Sequence, residues 1–213
     1  MPKTITYKWL ILVWFLLVNT MVKAQSSLEY YRSGKSNYDS SLYQLAINDF
    51  SKSISLNPNF DSIYYYRGYA FLQVKDTIAA DKDWLSALRL NPKYNRARLN
   101  HAFYKYCNKE YELAILELDT ILQIDNKLYD ALFSRAVSNY ELGNKNAVVK
   151  DLNRYIKYIK TDAAAYFNRA SALEDLKKYK SAIADYKKSI ELNPQDASAY
   201  CNLGNIMYNS KKY

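Results

Sequence analysis

The apolar residues of the chain recur with the spacing of amphipathic helices. Tyr166, Ala170 and Leu173 lie four and three residues apart, which places them on one face of a helix. An Asn-Pro pair at 193–194 follows a second such stretch, and the residue before a proline is driven away from helical geometry. The pattern therefore predicts two helices joined by a short turn, the second of which ends at the Asn-Pro pair.

This helix pair is one copy of a 34-residue repeat. Pro58 and Pro92 are 34 residues apart, and Pro194 lies three further periods beyond Pro92. The period predicts five full units and an incomplete sixth, at residues 27–60, 61–94, 95–128, 129–162, 163–196 and 197–213. Self-similarity at such a period is typical of helical repeat arrays.

Two slots of the repeat hold residues of matched size. The first helix carries a small residue at Gly34, Gly68, Ala102, Ala136, Ala170 and Gly204. The second helix carries a large apolar residue at Phe50, Trp84, Leu118, Leu152 and Tyr186. Small residues let paired helices approach closely, and large ones fill the seam between them. Asp162 and Asp196 stand where the following helix begins, which predicts N-cap side chains there.

The period and its small, large and proline slots resemble the tetratricopeptide repeat (TPR) family. The resemblance covers residues 27–213 and implies an all-α fold, a right-handed α-α superhelix (a TPR solenoid) of about five and a half helix-turn-helix repeats. Asn126 and Lys160 stand where the family has proline. Val148 and Tyr155 fill slots that prefer smaller residues, so we expect the second helix of the degenerate unit 129–162 to be displaced from ideal packing.

The N-terminus has the pattern of a secretory signal peptide. Lys3 and Lys8 precede a ten-residue apolar run, and Ala24 follows it at a candidate cleavage site. A membrane-spanning helix needs about 20 apolar residues, and this run is shorter. We therefore expect residues 1–24 to be a signal peptide and the protein to be exported to the periplasm or outside the cell. An uncleaved N-terminal membrane anchor is the alternative.

Charge and cysteine content add little chemistry. The net charge is +9, and it becomes +6 when Lys3, Lys8 and Lys23 leave with the signal peptide. The lysines are scattered rather than clustered, which indicates solvated helix faces and no nucleic-acid partner. Cys107 and Cys201 are 94 residues apart, and three stacked repeats would separate them too far for a disulfide. They are predicted to be unpaired thiols.

No constellation of catalytic, metal or cofactor residues appears in the sequence. His101 is the single histidine, and it takes the slot that holds Arg67, Arg135 and Arg169 in other units. Acidic residues recur every 34 residues in the second helix, at Asp49, Asp83, Glu117, Asp151 and Asp185. One acid per unit favours arginine–carboxylate pairs between neighbouring helices over acid–base catalysis. The sequence predicts no enzyme, no cofactor and no small-molecule substrate.

The resemblance also implies a binding surface, since the first helices of TPR solenoids line a concave groove that binds extended or helical peptides. The predicted groove residues are Tyr31, Lys35, Tyr38, Tyr65, Tyr69, Leu72, Arg96, Leu99, Phe103, Tyr106, Phe133, Val137, Tyr140 and Phe167. Aromatic residues dominate interface hot spots, which favours binding, whereas partial burial against neighbouring first helices is the alternative. The lysine of a chaperone-tail carboxylate clamp is replaced by Tyr31, Tyr65, Leu99 or Phe133, so that partner is not expected.

Together these features predict an exported, non-catalytic scaffold that binds a peptide or protein segment. The alternative is the N-terminal sensory or regulatory TPR region of a longer membrane-associated signalling protein. It is motivated by the sixth unit, which stops after one helix and leaves Leu203, Ile206 and Met207 without a predicted second helix to cover them. We expect another chain, the cell envelope or further repeats to associate with that end.

Overall fold

The described chain is entirely helical. The structure, a computed structural model, describes residues 3–210, and this range contains eleven α-helices and no strand. The helices are α1 Lys3–Asp39, α2 Tyr43–Leu56, α3 Asp61–Gln73, α4 Thr77–Leu90, α5 Asn95–Cys107, α6 Tyr111–Ile124, α7 Tyr129–Glu141, α8 Lys145–Tyr158, α9 Ala163–Asp175, α10 Tyr179–Leu192 and α11 Ala197–Ser210. The prediction of an all-α fold is confirmed.

The chain divides between Asn100 and His101 into two compact units, each of which contains several of the 34-residue repeat units. In the first unit α1 packs against α2, α2 against α3, and α3 against α4. In the second unit α6 packs against α7, α7 against α8, α8 against α9, α9 against α10, and α10 against α11. Within each compact unit, these helices therefore pack on their neighbours in the sequence, which is the arrangement that a repeat of paired helices predicts.

Helix boundaries repeat with the period read from the sequence. The even-numbered helices α2 to α10 begin at residues 43, 77, 111, 145 and 179, and the odd-numbered helices α3 to α11 begin at residues 61, 95, 129, 163 and 197. Asn57, Asn91 and Asn193, each followed by proline, end three of the even-numbered helices as predicted. Asp162 caps α9 by accepting hydrogen bonds from the N–H groups of Ala164 and Ala165.

The turn inside each helix pair contains one residue in the left-handed backbone region. These residues are Ser41, Lys75, Lys109, Gly143 and Lys177, again 34 apart, with φ between 60° and 77°. Only Gly143 has no Cβ, so it adopts this conformation without the steric cost that the other four carry.

The Asp196 side chain accepts from the N–H of Ser198 at 3.0 Å, which confirms the second predicted N-cap.

The small and large slots face each other in the core. A Cβ on Gly34 would lie 2.7 Å from the Phe50 ring, and a Cβ on Gly68 would lie 2.6 Å from Nε1 of Trp84. Ala136 and Leu152 hold the same slots in the fourth unit, and both are buried. The size matching is therefore what lets each pair of helices close.

The second helix of the degenerate unit, α8, has the same 14-residue length as the other even-numbered helices, and its displacement from ideal packing stays a prediction. Val148 is fully buried in it. The Tyr155 hydroxyl donates to Oδ2 of Asp162 at 2.8 Å, and its ring lies 5.3 Å from that of Phe133. A large residue fits this slot because its polar end finds an acceptor at the helix surface.

The predicted arginine–carboxylate pairs are confirmed. Arg135 donates from Nε and Nη2 to the two carboxylate oxygens of Asp151 at 2.8 and 2.6 Å, and Arg169 makes the same pair of bonds to Asp185 at 2.7 Å each. His101, in the arginine slot, lies 3.8 Å from the Glu117 carboxylate. Each of the two arginines therefore holds the second helix of its own unit in place.

The N-terminal helix α1 continues without a break from the apolar run into the first repeat. Its segment Trp9–Asp39 is long and apolar enough to cross a membrane by length and composition, a test that a signal sequence near the N-terminus also passes. The apolar run itself has ten residues. The uncharged residues Asn19, Thr20, Met21 and Val22 follow it, so the uncharged segment is longer than the run. Signal peptide and membrane anchor both remain predictions.

Candidate functional site

Several predicted groove residues of the first compact unit, which ends at Asn100, form an aromatic cluster. The Tyr65 ring lies 4.9 Å from Tyr94, 5.0 Å from Tyr69 and 5.2 Å from Tyr66. Tyr65 is only 6% exposed, so its predicted place on an open groove surface is wrong. Tyr94 precedes α5 and covers Tyr65, which the slot pattern of the helices does not reveal.

Tyr31 and Lys35 belong to the same cluster. The Tyr31 ring lies 5.1 Å from Phe60 and 5.9 Å from Tyr66, and Lys35 Nζ lies 4.7 Å from the centre of the Tyr66 ring. Burial, followed by the neighbouring Tyr66, raises the pKa of Tyr31 to about 12. These contacts fix the side chains by packing, which is the alternative to a binding role.

Other predicted residues of the first unit are also engaged. Tyr69 and Asn100 are joined by a hydrogen bond of 3.2 Å from the tyrosine hydroxyl to the amide oxygen. Tyr38 lies edge-on to Tyr43, with ring centres 5.5 Å apart. Leu72 and Leu99 are half-buried, and Arg96 is exposed.

In the second compact unit, which begins at His101, four predicted groove residues line a common pocket. We call it the apolar pocket. Its volume is about 120 Å³, and its lining residues are Ala102, Phe103, Tyr106, Leu118, Phe133, Ser134, Val137 and Ser138. Phe103 and Tyr106 come from α5, and Phe133 and Val137 come from α7. The two helices supply the walls, and buried Leu118 of α6 supplies the floor.

The lining of the apolar pocket is predominantly apolar, and one of its hydroxyl groups is satisfied within its own helix. The Ser138 hydroxyl donates to the backbone oxygen of Ser134 at 2.9 Å. Helical backbone groups are likewise used in the helix itself. The lining therefore matches an apolar group in chemical character, since apolar side chains form most of its surface.

Packing from behind holds the walls of the pocket. The Phe133 ring lies 5.3 Å from Tyr155, and the Tyr106 ring lies 5.5 Å from Tyr111. Burial and then the Glu141 carboxylate raise the pKa of Tyr106. Phe103 differs from these rings because 55% of its surface is exposed, at the rim. Such a rim is where an incoming side chain gains most by covering apolar surface.

The last two predicted residues lie outside the apolar pocket. The hydroxyl oxygens of Tyr140 and Ser171 lie 2.8 Å apart in a hydrogen bond, and Lys145 Nζ lies 4.0 Å from the centre of the Tyr140 ring. Phe167 packs edge-on against Tyr186 at 5.7 Å. These contacts join neighbouring helices, so both aromatic residues have a packing role here.

Reactive groups are sparse in the described chain. Among residues 3–210, no group of three or more His, Cys, Asp or Glu side chains is placed to hold a metal ion. Cys107 and Cys201 are both unpaired, as the repeat spacing predicts, and both are exposed. Partial burial raises the pKa of the Cys107 thiol, which lowers its reactivity at neutral pH.

Sequence reasoning missed a second concave site in the second compact unit. We call it the cationic pocket. It is lined by Asn126, Lys127, Tyr129, Leu132, Arg154, Lys157 and Tyr158. Its residues come from the loop after α6, the start of α7 and the end of α8. The signal that could have found it is the loss of the repeat proline at Asn126, together with basic residues at 127, 154 and 157.

Comparison with known proteins agrees with this repeat architecture. Residues 172–211 match a family model described as TPR repeat. The human protein tetratricopeptide repeat protein 6 is 31% identical over 122 residues, which are 56% of this chain. The chain spans 24% of the length of that relative.

Solved structures share the fold at low sequence identity. A TPR protein with an unusual peptide-binding site, YrrB, has a TM-score of 0.73 at 14% identity, over 81% of this chain and 89% of its own. MamA has a TM-score of 0.73 at 16% identity, over 82% of this chain and 95% of its own. PilF of Pseudomonas aeruginosa has a TM-score of 0.74 at 14% identity, over 89% of this chain and 87% of its own. These similarities show that the chain has the fold of TPR proteins.

Proposed function

We propose that the chain is a non-catalytic interaction scaffold that binds a protein segment through the apolar pocket of its second unit. Proteins with TPR repeats generally mediate protein–protein interactions, and this fold is generally non-catalytic. The observation that carries the proposal is the convergence of Phe103, Tyr106, Phe133 and Val137 on one pocket with an exposed aromatic rim.

The occupant is one apolar side chain of a partner segment, of the size of Leu, Met or Phe. A volume of about 120 Å³ is close to the roughly 150 Å³ of a protein cavity that holds benzene. The lining offers few free polar groups, so a charged or amide side chain would lose its hydration without compensation. A leucine, methionine or phenylalanine would instead cover Phe103 and displace water from the pocket.

Selection of peptides from a random displayed library tests this proposal. The unaltered protein should enrich peptides with one fixed Leu, Met or Phe position, and Phe103→Ser should lose that enrichment. Leu116→Ser is the matched control, because Leu116 is an exposed residue of α6 outside the pocket and its loss should leave the selected set unchanged. Enrichment of the same peptides by the unaltered protein and by Phe103→Ser would contradict the proposal.

We also infer that the protein works outside the cytoplasm, anchored or released, on the strength of the apolar start of α1. Helix α1 is continuous from Lys3 to Asp39, and no break separates the apolar segment from the first repeat. This continuity favours a second candidate, in which the uncleaved helix anchors the protein to the membrane. Mass spectrometry of the N-terminus, on membrane and soluble fractions, distinguishes the two. A peptide starting at Gln25 in the soluble fraction supports cleavage, and an intact N-terminus in the membrane fraction supports the anchor. An intact N-terminus in the cytoplasm would contradict both.

A further inference from the structure

The cationic pocket brings three positive side chains and two aromatic rings to one surface of the second unit. Lys127, Arg154 and Lys157 line it together with Tyr129 and Tyr158, around a volume of about 260 Å³. Arg154 and Lys157 lie three residues apart near the end of α8, so they share one face of that helix. Lys127 comes from the loop that follows α6.

Two contacts give the pocket a fixed shape. Arg154 Nη2 donates to the backbone oxygen of Asn126 at 3.0 Å, which holds the guanidinium against the loop and leaves its other N–H groups for a ligand. The rings of Tyr129 and Tyr158 are stacked, with centres 4.7 Å apart and planes 24° apart. Lys157 Nζ lies 5.7 Å from the Tyr158 ring centre, and Tyr158 is 54% exposed.

The three cations have no carboxylate partner within salt-bridge distance among the residues that the structure describes. Asp125 and Asp130 flank Lys127 in the sequence, and neither lines the pocket. Asp151 lies three residues before Arg154, but its carboxylate is paired with Arg135. Asp125 Oδ1 accepts from the backbone N–H of Lys127 at 2.9 Å, so it contacts that residue without reaching its ammonium group. Positive charge therefore stays uncompensated inside a concave surface.

Corresponding positions of the other repeat units do not gather three cations. One set holds Lys93, Thr120 and Gln123, and another holds Asn59, Ser86 and Arg89. In the fifth unit the corresponding positions hold Thr161, Lys188 and Glu191, and the Lys188 ammonium lies 2.6 Å from the Glu191 carboxylate. Like charges three residues apart on a helix destabilise it slightly, so the pair of Arg154 and Lys157 repels within α8. A bound anion would turn this repulsion into attraction.

From this convergence we propose that the cationic pocket binds the phosphate group of a small organic phosphate. The phosphate oxygens accept hydrogen bonds from the planar Arg154 guanidinium and from the Lys127 and Lys157 ammonium groups. The organic part of the ligand lies against the exposed ring of Tyr158. This ligand would be bound and not converted, and its pocket is separate from the apolar pocket of the proposed function.

Calorimetric titration of the protein with inorganic phosphate and with phenyl phosphate, at constant ionic strength, tests the proposal. Both should bind saturably, phenyl phosphate more tightly because its ring covers Tyr158. Arg154→Gln should weaken phenyl phosphate binding about tenfold, since it removes the bidentate donor. Lys188→Gln is the matched control at the same repeat position, and it should leave the affinity unchanged.

Three outcomes would overturn the site: no saturable binding, equal losses in Arg154→Gln and Lys188→Gln, or unchanged binding in Arg154→Gln. Lys157→Gln guards against a folding defect of Arg154→Gln, because this exposed side chain should lower affinity without changing the circular dichroism spectrum. Equal affinity for phosphate and phenyl phosphate would overturn the role of Tyr158. Sedimentation with phosphatidylcholine vesicles that contain phosphatidic acid separates the sources of phosphate. A loss of vesicle binding in Arg154→Gln would overturn the small ligand in favour of a lipid headgroup.

Discussion

Arg67 of α3 and Asp83 of α4 form a bidentate pair, in which Nε donates to Oδ2 and Nη2 to Oδ1, each at 2.7 Å. The remaining nitrogen, Nη1, donates to Ser51 Oγ of α2 at 3.0 Å. One guanidinium therefore joins three successive helices. Arg135 and Arg169 bridge their own neighbours in the same way, through Asp119 and Asn153 of the preceding even-numbered helix.

Removal of Arg67 should strongly destabilise the first compact unit, which ends at Asn100. Asp83 is 4% exposed, and its burial raises the pKa of the carboxyl against the opposing effect of the Arg67 hydrogen bonds. Arg67→Met leaves that buried carboxylate without its partner, which costs about 3–5 kcal/mol. Urea unfolding, followed by circular dichroism, measures the loss.

The control for this prediction is the double variant Arg67→Met with Asp83→Leu. It should recover much of the lost stability, because no buried charge is left unpaired. Lys188→Met removes a partly exposed ion pair instead and should change stability by about 0–1 kcal/mol. A loss of the same small size for Arg67→Met would show that the bidentate pair does not stabilise the helices.

Two glycines in the same slot should respond oppositely to alanine. A Cβ on Gly68 would lie 2.6 Å from Nε1 of buried Trp84 and 3.1 Å from the backbone oxygen of Ala80, whereas one on Gly204 would meet nothing within 4 Å. Overpacking costs about 1–3 kcal/mol and alanine regains about 1 kcal/mol of helix propensity, so Gly68→Ala should be destabilising. Gly204→Ala should be neutral or slightly stabilising. Thermal unfolding of both variants checks the sign, and a stabilising Gly68→Ala would contradict the close helix approach.

The fold should lose stability as tyrosines ionise at alkaline pH. Burial and then Tyr66 raise the pKa of Tyr31 from 10.0 to about 12, so the unfolded chain gives up this proton first. The stability that Tyr31 contributes is fully present below pH 10 and is lost as the pH rises from 10 to 12. Burial also raises the pKa of Tyr65, Tyr155 and Tyr186.

Urea unfolding at a series of pH values from neutral to alkaline measures this loss. Tyr31→Phe should make the decline shallower, because phenylalanine keeps the ring and has no proton to lose. Tyr200→Phe, at an exposed position, should leave the decline as it is. An unchanged decline in Tyr31→Phe would contradict the assignment of the raised pKa to this residue.

Periodic features could be predicted from the sequence because each repeats the same physical problem. Helix ends, the small slot at Gly68, the large slot at Trp84 and the pair of Arg67 with Asp83 all follow from the 34-residue spacing. Non-periodic features could not. Tyr65 occupies a slot that faces outward in the repeat, and it is buried because Tyr94 happens to cover it.

The two pockets show the same contrast. The apolar pocket uses Phe103 and Val137, which share one slot in successive units, so the sequence indicated them. The cationic pocket combines a loop residue, Lys127, with Arg154 and Lys157 at the end of a helix. No single slot contains these residues, and only the folded chain brings them together.

Nuclear magnetic resonance titration of the isotope-labelled protein with N-acetyl-phenylalanine amide tests the central claim most directly. The backbone signals of Phe103, Ser134, Val137 and Ser138 should shift saturably, since the ring enters the apolar pocket that they line. N-acetyl-lysine amide should leave these signals in place, and Val137→Asp should abolish the shifts caused by the phenylalanine compound. Unmoved signals, or equal shifts from both compounds, would contradict the apolar pocket as the binding site.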